Sequence, residues 1–233
     1  MIVNRIILGF LLVLMGAAVF VHTQGHISLI QLIFVEVMAL VFIVFNFFQQ
    51  KKHRVRTFKK FLREAEELYN GRDPDGAIKA FNKALRLNSE SYEVHLGMAQ
   101  CYRMTMKFEE AVKEYQKAID INPDTHHAYF LKGIVEMQMN RPYDSLRSFR
   151  RAEEMKPDFE DLHYFLGQLF EKTVQIKEAI RYYEKYVKNC SECKMKGAIE
   201  QKLATLKEKM KVYEPRLIET EQEETSPEES EVV

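Results

Sequence analysis

The chain has 233 residues, with 34 Lys and Arg against 34 Asp and Glu, enough for one or two domains. Its neutrality is a cancellation, because apolar residues are concentrated before Phe48, basic ones lie between Lys51 and Arg63, and acidic ones dominate after Glu219. Charge is therefore read segment by segment. The 3 cysteines exclude a disulfide framework and fit a reducing compartment.

Ile6 to Val21 is an uninterrupted apolar run, and Leu29 to Phe48 is a second, broken only by Gln31, Glu36 and Asn46. A bilayer core of about 30 Å takes about 20 apolar residues. The two runs predict a transmembrane hairpin over 1–50, with spans at about 4–21 and 28–48 joined by a short polar link around Gly25. Lys51, Lys52, Arg54, Arg56, Lys59 and Lys60 follow the second span, while the link has no Lys or Arg. Basic residues beside a span stay cytoplasmic, which predicts an inner-membrane protein whose remaining chain faces the cytoplasm. A cleaved signal peptide over 1–24 is the competing reading, but no small-x-small site follows Val21. The six basic side chains would lie at the membrane surface, either gripping anionic headgroups or only setting topology.

Glu36 falls near the middle of the second span. An ionised carboxylate there costs at least ~2.5 kcal/mol, so it either pairs with a polar group of another membrane protein or carries a proton, or else is a protonated carboxyl bonded within the hairpin or to a second copy. Between Ser28 and Asn70 there is neither glycine nor proline. The residues 51–57 are accordingly expected to continue the helix as a stiff basic junction.

From residue 58 a helix-pair pattern recurs. Ala77, Ala111, Ser145 and Ala179 are 34 residues apart, and so are Phe81, Tyr115, Phe149 and Tyr183. Ala84, Ala118, Ala152 and Tyr186 form a third column, Ser89, Pro123, Pro157 and Ser191 a fourth, and Ala65, Ala99, Gly133 and Gly167 a fifth. Small residues let two helices approach, the aromatic four positions on shares their face, and proline ends the second helix. Within the first unit, Gly71 is expected to end one helix and Asp73-Pro74 to open the next; Pro142 opens the corresponding helix of the third.

These columns resemble the tetratricopeptide repeat family. Glu64, Lys132, Glu136, Ser145 and Tyr186 depart from the family pattern. The resemblance implies four helix pairs at 58–91, 92–125, 126–159 and 160–193, stacked into an α-solenoid whose first helices line a concave groove. By that resemblance the groove column is Leu62, Leu96, Phe130 and Tyr164, flanked by Glu66, Gln100, Ile134 and Gln168 and by Arg103, Met137 and Glu171. Such a ladder suits an apolar or amphipathic helix or peptide, or else it packs against neighbouring helices. Some family members clamp the carboxylate terminus of chaperones with lysine, asparagine and arginine. Here those positions hold Leu62, Glu66, Gly97, His127 and Leu131, so binding of that type is not expected.

Other polar residues suggest little chemistry. His22 and His26 flank a glycine turn, which argues against a metal site. His95 and His163 share a column with Phe61 and Tyr129 and read as half-buried packing residues, and Cys101 reads as core. Glu160 and His163 form a single E-x-x-H, where a di-metal carboxylate site needs two. Cys190 and Cys193 are weak candidates for zinc or redox chemistry, with two reduced thiols in a helix-ending turn as the plain expectation. No phosphate-binding glycine loop occurs and no catalytic residues can be placed, so neither an enzyme nor a cofactor is expected.

Met195, Ile199, Leu203, Leu206 and Met210 form one apolar stripe at helical spacing. It predicts a helix at 194–213 that caps the stack. The acidic tail, residues 214–233, is expected to stay disordered.

The chain thus reads as all-α: a two-helix transmembrane hairpin, a solenoid of four repeats and a capping helix. The role expected is a membrane-anchored scaffold that takes a protein or peptide in its groove, with the lipid bilayer and a membrane protein at the hairpin as further partners and no nucleic acid. The alternative is an accessory subunit of a membrane transport or energy-coupling complex that uses Glu36.

Overall fold

The computed structural model describes residues 15, 16, 19, 29–190 and 195–224, with side chains described for 33–190 and 195–211 besides the first three. Among these residues every regular element is a helix. The chain divides into two compact units, 1–63 and 64–233.

In the first unit begins α1, Leu29–Asn70, a single helix of 42 residues. It runs unbroken because nothing in it lacks an N–H or favours a turn. Ile33–Asn70 contains the one stretch among the described residues that is long and apolar enough to cross a membrane, and the side chains of that stretch are not buried. Lys51, Lys52, Arg54, Arg56, Lys59 and Lys60 are all exposed further along it. Of the first apolar run, Met15, Gly16 and Val19 are helical. Its remainder, with the link carrying His22 and His26, lies outside the described residues.

Among the described residues the second unit holds the end of α1 and eight further helices. They are α2 (Pro74–Leu85), α3 (Tyr92–Met104), α4 (Phe108–Ile121), α5 (His126–Gln138), α6 (Pro142–Met155), α7 (Glu160–Lys172), α8 (Ile176–Asn189) and α9 (Lys196–Glu224). α3 packs on α4, α5 on α6 and α7 on α8 within pairs, while α2 meets α3, α4 meets α5 and α6 meets α7 between them.

Each turn inside a pair is built the same way. Arg72, Met106, Asn140 and Val174 have φ of 61°, 58°, 58° and 62°. The next residue's N–H bonds five positions back, as in Asp73 N to Leu68 O at 2.9 Å and Gln175 N to Phe170 O at 2.8 Å. That closure satisfies carbonyls left open at the helix end. Gly71 is therefore not the residue that turns the chain; the left-handed position is Arg72. Asp73 Oδ1 accepts from Gly76 N at 2.9 Å, and Pro74 and Pro142 occupy the first helical turns as expected.

The columns meet in the core. Ala77, Ala111, Ser145 and Ala179 are buried, as are Phe81, Tyr115, Phe149 and Tyr183. A Cβ placed on Gly133 would come within 2.6 Å of the Phe149 ring, and one on Gly167 within 2.6 Å of the Tyr183 ring. The aromatic of the second helix thus sits directly over the small residue of its own first helix. Full burial of each such ring contributes about 1.5–3 kcal/mol.

On the last pair, α9 buries Ile199, Leu203 and Leu206, with Met210 packed beside them. Lys202 pairs with Glu171 at 2.8 Å and Lys207 with Glu184 at 2.6 Å. Four residues of the expected stripe thus pack on the last pair, whereas Met195 is exposed. The helix does not stop at residue 213 but continues through Pro215 to Glu224. Lys, Glu and Leu, which favour helix, dominate on both sides of the one hydrogen bond that proline removes. Residues 225–233 of the expected tail lie outside the described residues.

Candidate partner groove

Of the residues expected to line a groove, the structure brings part of the set together. Glu66 on α1 joins Leu96 and Gln100 on α3 around a cavity of about 260 Å³, completed by Tyr69, Phe81, Glu93 and Gly97. Leu96 and Gln100 are half-buried and Glu66 is exposed. Phe81, expected only as a packing aromatic, and Gly97, a clamp position by the family resemblance, join the lining, together with Tyr69 and Glu93, which no repeat column marks. Tyr69 was within reach of the sequence, being one repeat before Arg103.

Phe130 is not an exposed rung of the ladder. It is 5% exposed, with ring centroids 4.7 Å from Phe159 and 5.4 Å from Phe165. The turn before α7 folds Phe159 over it, which periodicity alone does not show. Tyr164 is half-buried among Phe165, Tyr183 and Tyr186, and its hydroxyl accepts from Gln168 Nε2 at 2.6 Å. Leu62, Ile134 and Met137 are half-buried, the last two packing against the core.

Two charged members of the set are turned toward the protein. Arg103 is half-buried with Nε out of solvent beside the Tyr115 hydroxyl. Glu171 accepts from Lys202 at 2.8 Å and from Tyr183 at 2.8 Å. Burial alone would raise the Glu171 carboxyl, but these two hydrogen bonds hold it below the usual range.

The remaining candidates fall elsewhere. Glu36 is exposed on α1. Cys101 is buried, and burial, with Asp75 nearby, pushes its thiol up to about 11, so it is the inert core residue expected. Cys190 is buried and disulfide-bonded, not a reduced thiol, and Cys193 lies outside the described residues. His95 is more than a packing residue: Nδ1 is 2.6 Å from Glu114 Oε2, and Lys117 completes the set at 2.8 Å from Glu114 Oε1. His163 is fully buried, and neither ring nitrogen has a hydrogen-bond partner among the described residues. No group of three or more His, Cys, Asp or Glu that could hold a metal occurs among the described residues.

Comparison with known proteins places the fold. The model of the tetratricopeptide repeat family matches residues 62–125 and 130–192. That is more than half of the sequence, and the chain belongs to this family. Among solved structures it is similar to a crystal structure of MamA, with 21% identity over 57% of this chain and 77% of that one and a TM-score of 0.55. A second MamA structure has 19% identity over 76% of this chain and 98% of that one, with a TM-score of 0.54. YrrB, described as a TPR protein with an unusual peptide-binding site, has 19% identity over 55% of this chain and 66% of that one, with a TM-score of 0.50. At these identities the likeness is one of fold alone. None of the curated proteins is significantly similar to the chain.

Proposed function

We propose that the protein is a membrane-anchored scaffold which holds a protein or peptide partner in the concave groove of its repeats and performs no chemistry of its own. The observation that carries this reading is the cavity of about 260 Å³ formed where Glu66, Leu96 and Gln100 converge. An open concavity with an apolar floor and a polar rim is the form that binding surfaces on repeat stacks take. The described peptide-binding site of YrrB adds support by analogy of fold. The anchor in this proposal is a hairpin of spans at about 4–21 and 28–48 in the inner membrane. The basic residues from Lys51 to Lys60 then keep the repeats on the cytoplasmic side.

A photoreactive amino acid at Gln100, in the full chain in its membrane, tests the groove. The control is the same probe at Arg150, exposed on the second helix of its pair. Capture of a defined partner from Gln100 and not from Arg150 is the expected result. Equal capture from both positions, or none from Gln100, overturns groove recognition.

A further inference from the structure

The cavity has a chemistry more specific than an apolar slot. Its floor is Tyr69, Phe81 and Leu96. A Cβ on Gly97 would stand 2.3 Å from Phe81 Cζ, so this position is left without a side chain and the ring edge is not covered from α3. At the rim stand two carboxylates, Glu66 and Glu93, with the Gln100 amide. Glu66 makes no hydrogen bond or ion pair among the described residues, and Glu93 accepts from the neutral Ser91 hydroxyl at 2.9 Å. Among the described residues neither carboxylate is matched by a cation. Arg103, the cation next along α3, does not line the cavity, and its Nε is buried beside Tyr115.

Two unmatched carboxylates above aromatic rings ask for a cation with an apolar face. A guanidinium meets both demands, because its plane lies against a ring while its fork donates to carboxylates. An ammonium on a flexible stem meets the second less well. Resting on the groove reading above, we propose that the cavity between α1 and α3 takes the arginine side chain of a peptide partner. Leu96 and Phe81 cover the methylene stem, Tyr69 faces the guanidinium, and Glu66 and Glu93 receive its N–H groups. Charge complementarity selects this occupant over an acidic or purely apolar segment, which would leave both carboxylates desolvated and unpaired.

The test presents a random decapeptide display library to the full chain held in detergent micelles. The best retained peptide is then compared by fluorescence anisotropy with its copy carrying citrulline, the neutral isostere of arginine. Enrichment of arginine at one position and a loss of about tenfold in affinity for the citrulline copy are expected. Glu66→Gln combined with Glu93→Gln, both exposed and so without consequence for the helical circular dichroism, is expected to abolish the preference. Retained peptides without arginine enrichment, equal affinity for the citrulline copy, or an undiminished preference in the double variant each overturn the proposal. If that happens while Gln100 still crosslinks a partner, only the arginine chemistry falls. If Gln100 captures nothing either, the groove reading falls with it.

Discussion

Arg72, Met106, Asn140 and Val174 occupy equivalent turns with positive φ, yet only asparagine among them suits that conformation. Val174 is the worst fit, being β-branched, and it is 79% exposed, so no packing offsets the strain. Val174→Gly is expected to stabilise the chain by about 1 kcal/mol, read as a higher denaturation midpoint at unchanged slope. Departures from the family pattern answer one another in space. Glu136 is buried on α5, where Ser148 Oγ donates to it at 2.6 Å and Lys132 lies 3.7 Å away, and Ser145 Oγ donates to Gly133 O at 2.8 Å. Ser148→Ala is expected to cost about 1–3 kcal/mol, and combining it with Glu136→Met to cost less than the two singly, because removing both partners leaves nothing unpaired. A double-mutant cycle by chemical denaturation checks this. His163 is held below its ordinary 6.5, first by burial and then by Lys185. The unfolded chain therefore binds the proton more readily, so the stability this residue gives is complete above pH 6.5 and is lost as pH falls through the lowered folded value. The melting temperature should fall between pH 7 and 5, and His163→Phe should flatten its own part of that decline.

Among the elements, the repeat helices were legible because two independent signals coincide, apolar periodicity and the stop and start residues. Pro123 and Pro157 follow α4 and α6, and Asp73 and Ser91 cap α2 and α3. The end of α9 is not legible in the sequence, since Pro215 followed by an acidic run reads as a stop although the residues on either side favour helix. Its first half is fixed by burial of Ile199, Leu203 and Leu206 against the last pair. Leu206→Ala should cost about 2–5 kcal/mol, detected as a lowered unfolding midpoint, whereas Glu208→Ala on the exposed side of the same helix should stay within about 0.5 kcal/mol. An equal effect from both would mean that α9 is not a packed cap.

For the whole molecule, the proposed membrane anchor makes the side on which the repeats lie a testable prediction. The basic run after the second apolar segment favours the cytoplasm. The disulfide at Cys190 is the observation that favours the opposite, because disulfides persist in oxidising compartments. The cytoplasmic reading predicts that a green fluorescent protein fused after Glu224 is fluorescent and that alkaline phosphatase fused there is inactive in intact cells. Replacing Lys51, Lys52, Arg54 and Arg56 by glutamine should weaken that bias. Active phosphatase in the unmodified chain would place the repeats on the other side.

By itself the sequence determined what repeats: the family, the 34-residue period, the small-residue and aromatic columns and the capping stripe. Each of these is imposed by backbone geometry on residues at fixed spacing. Which groove residues stay accessible was decided only by tertiary structure. Phe130 and Tyr164 share a column, but Phe159 closes over the first, while the second keeps a hydroxyl held by Gln168. Tyr69, Phe81 and Glu93 gather around one cavity although they lie on three helices. Spacing along one helix fixes a face, whereas a cavity depends on where neighbouring helices place their side chains, and that follows from packing.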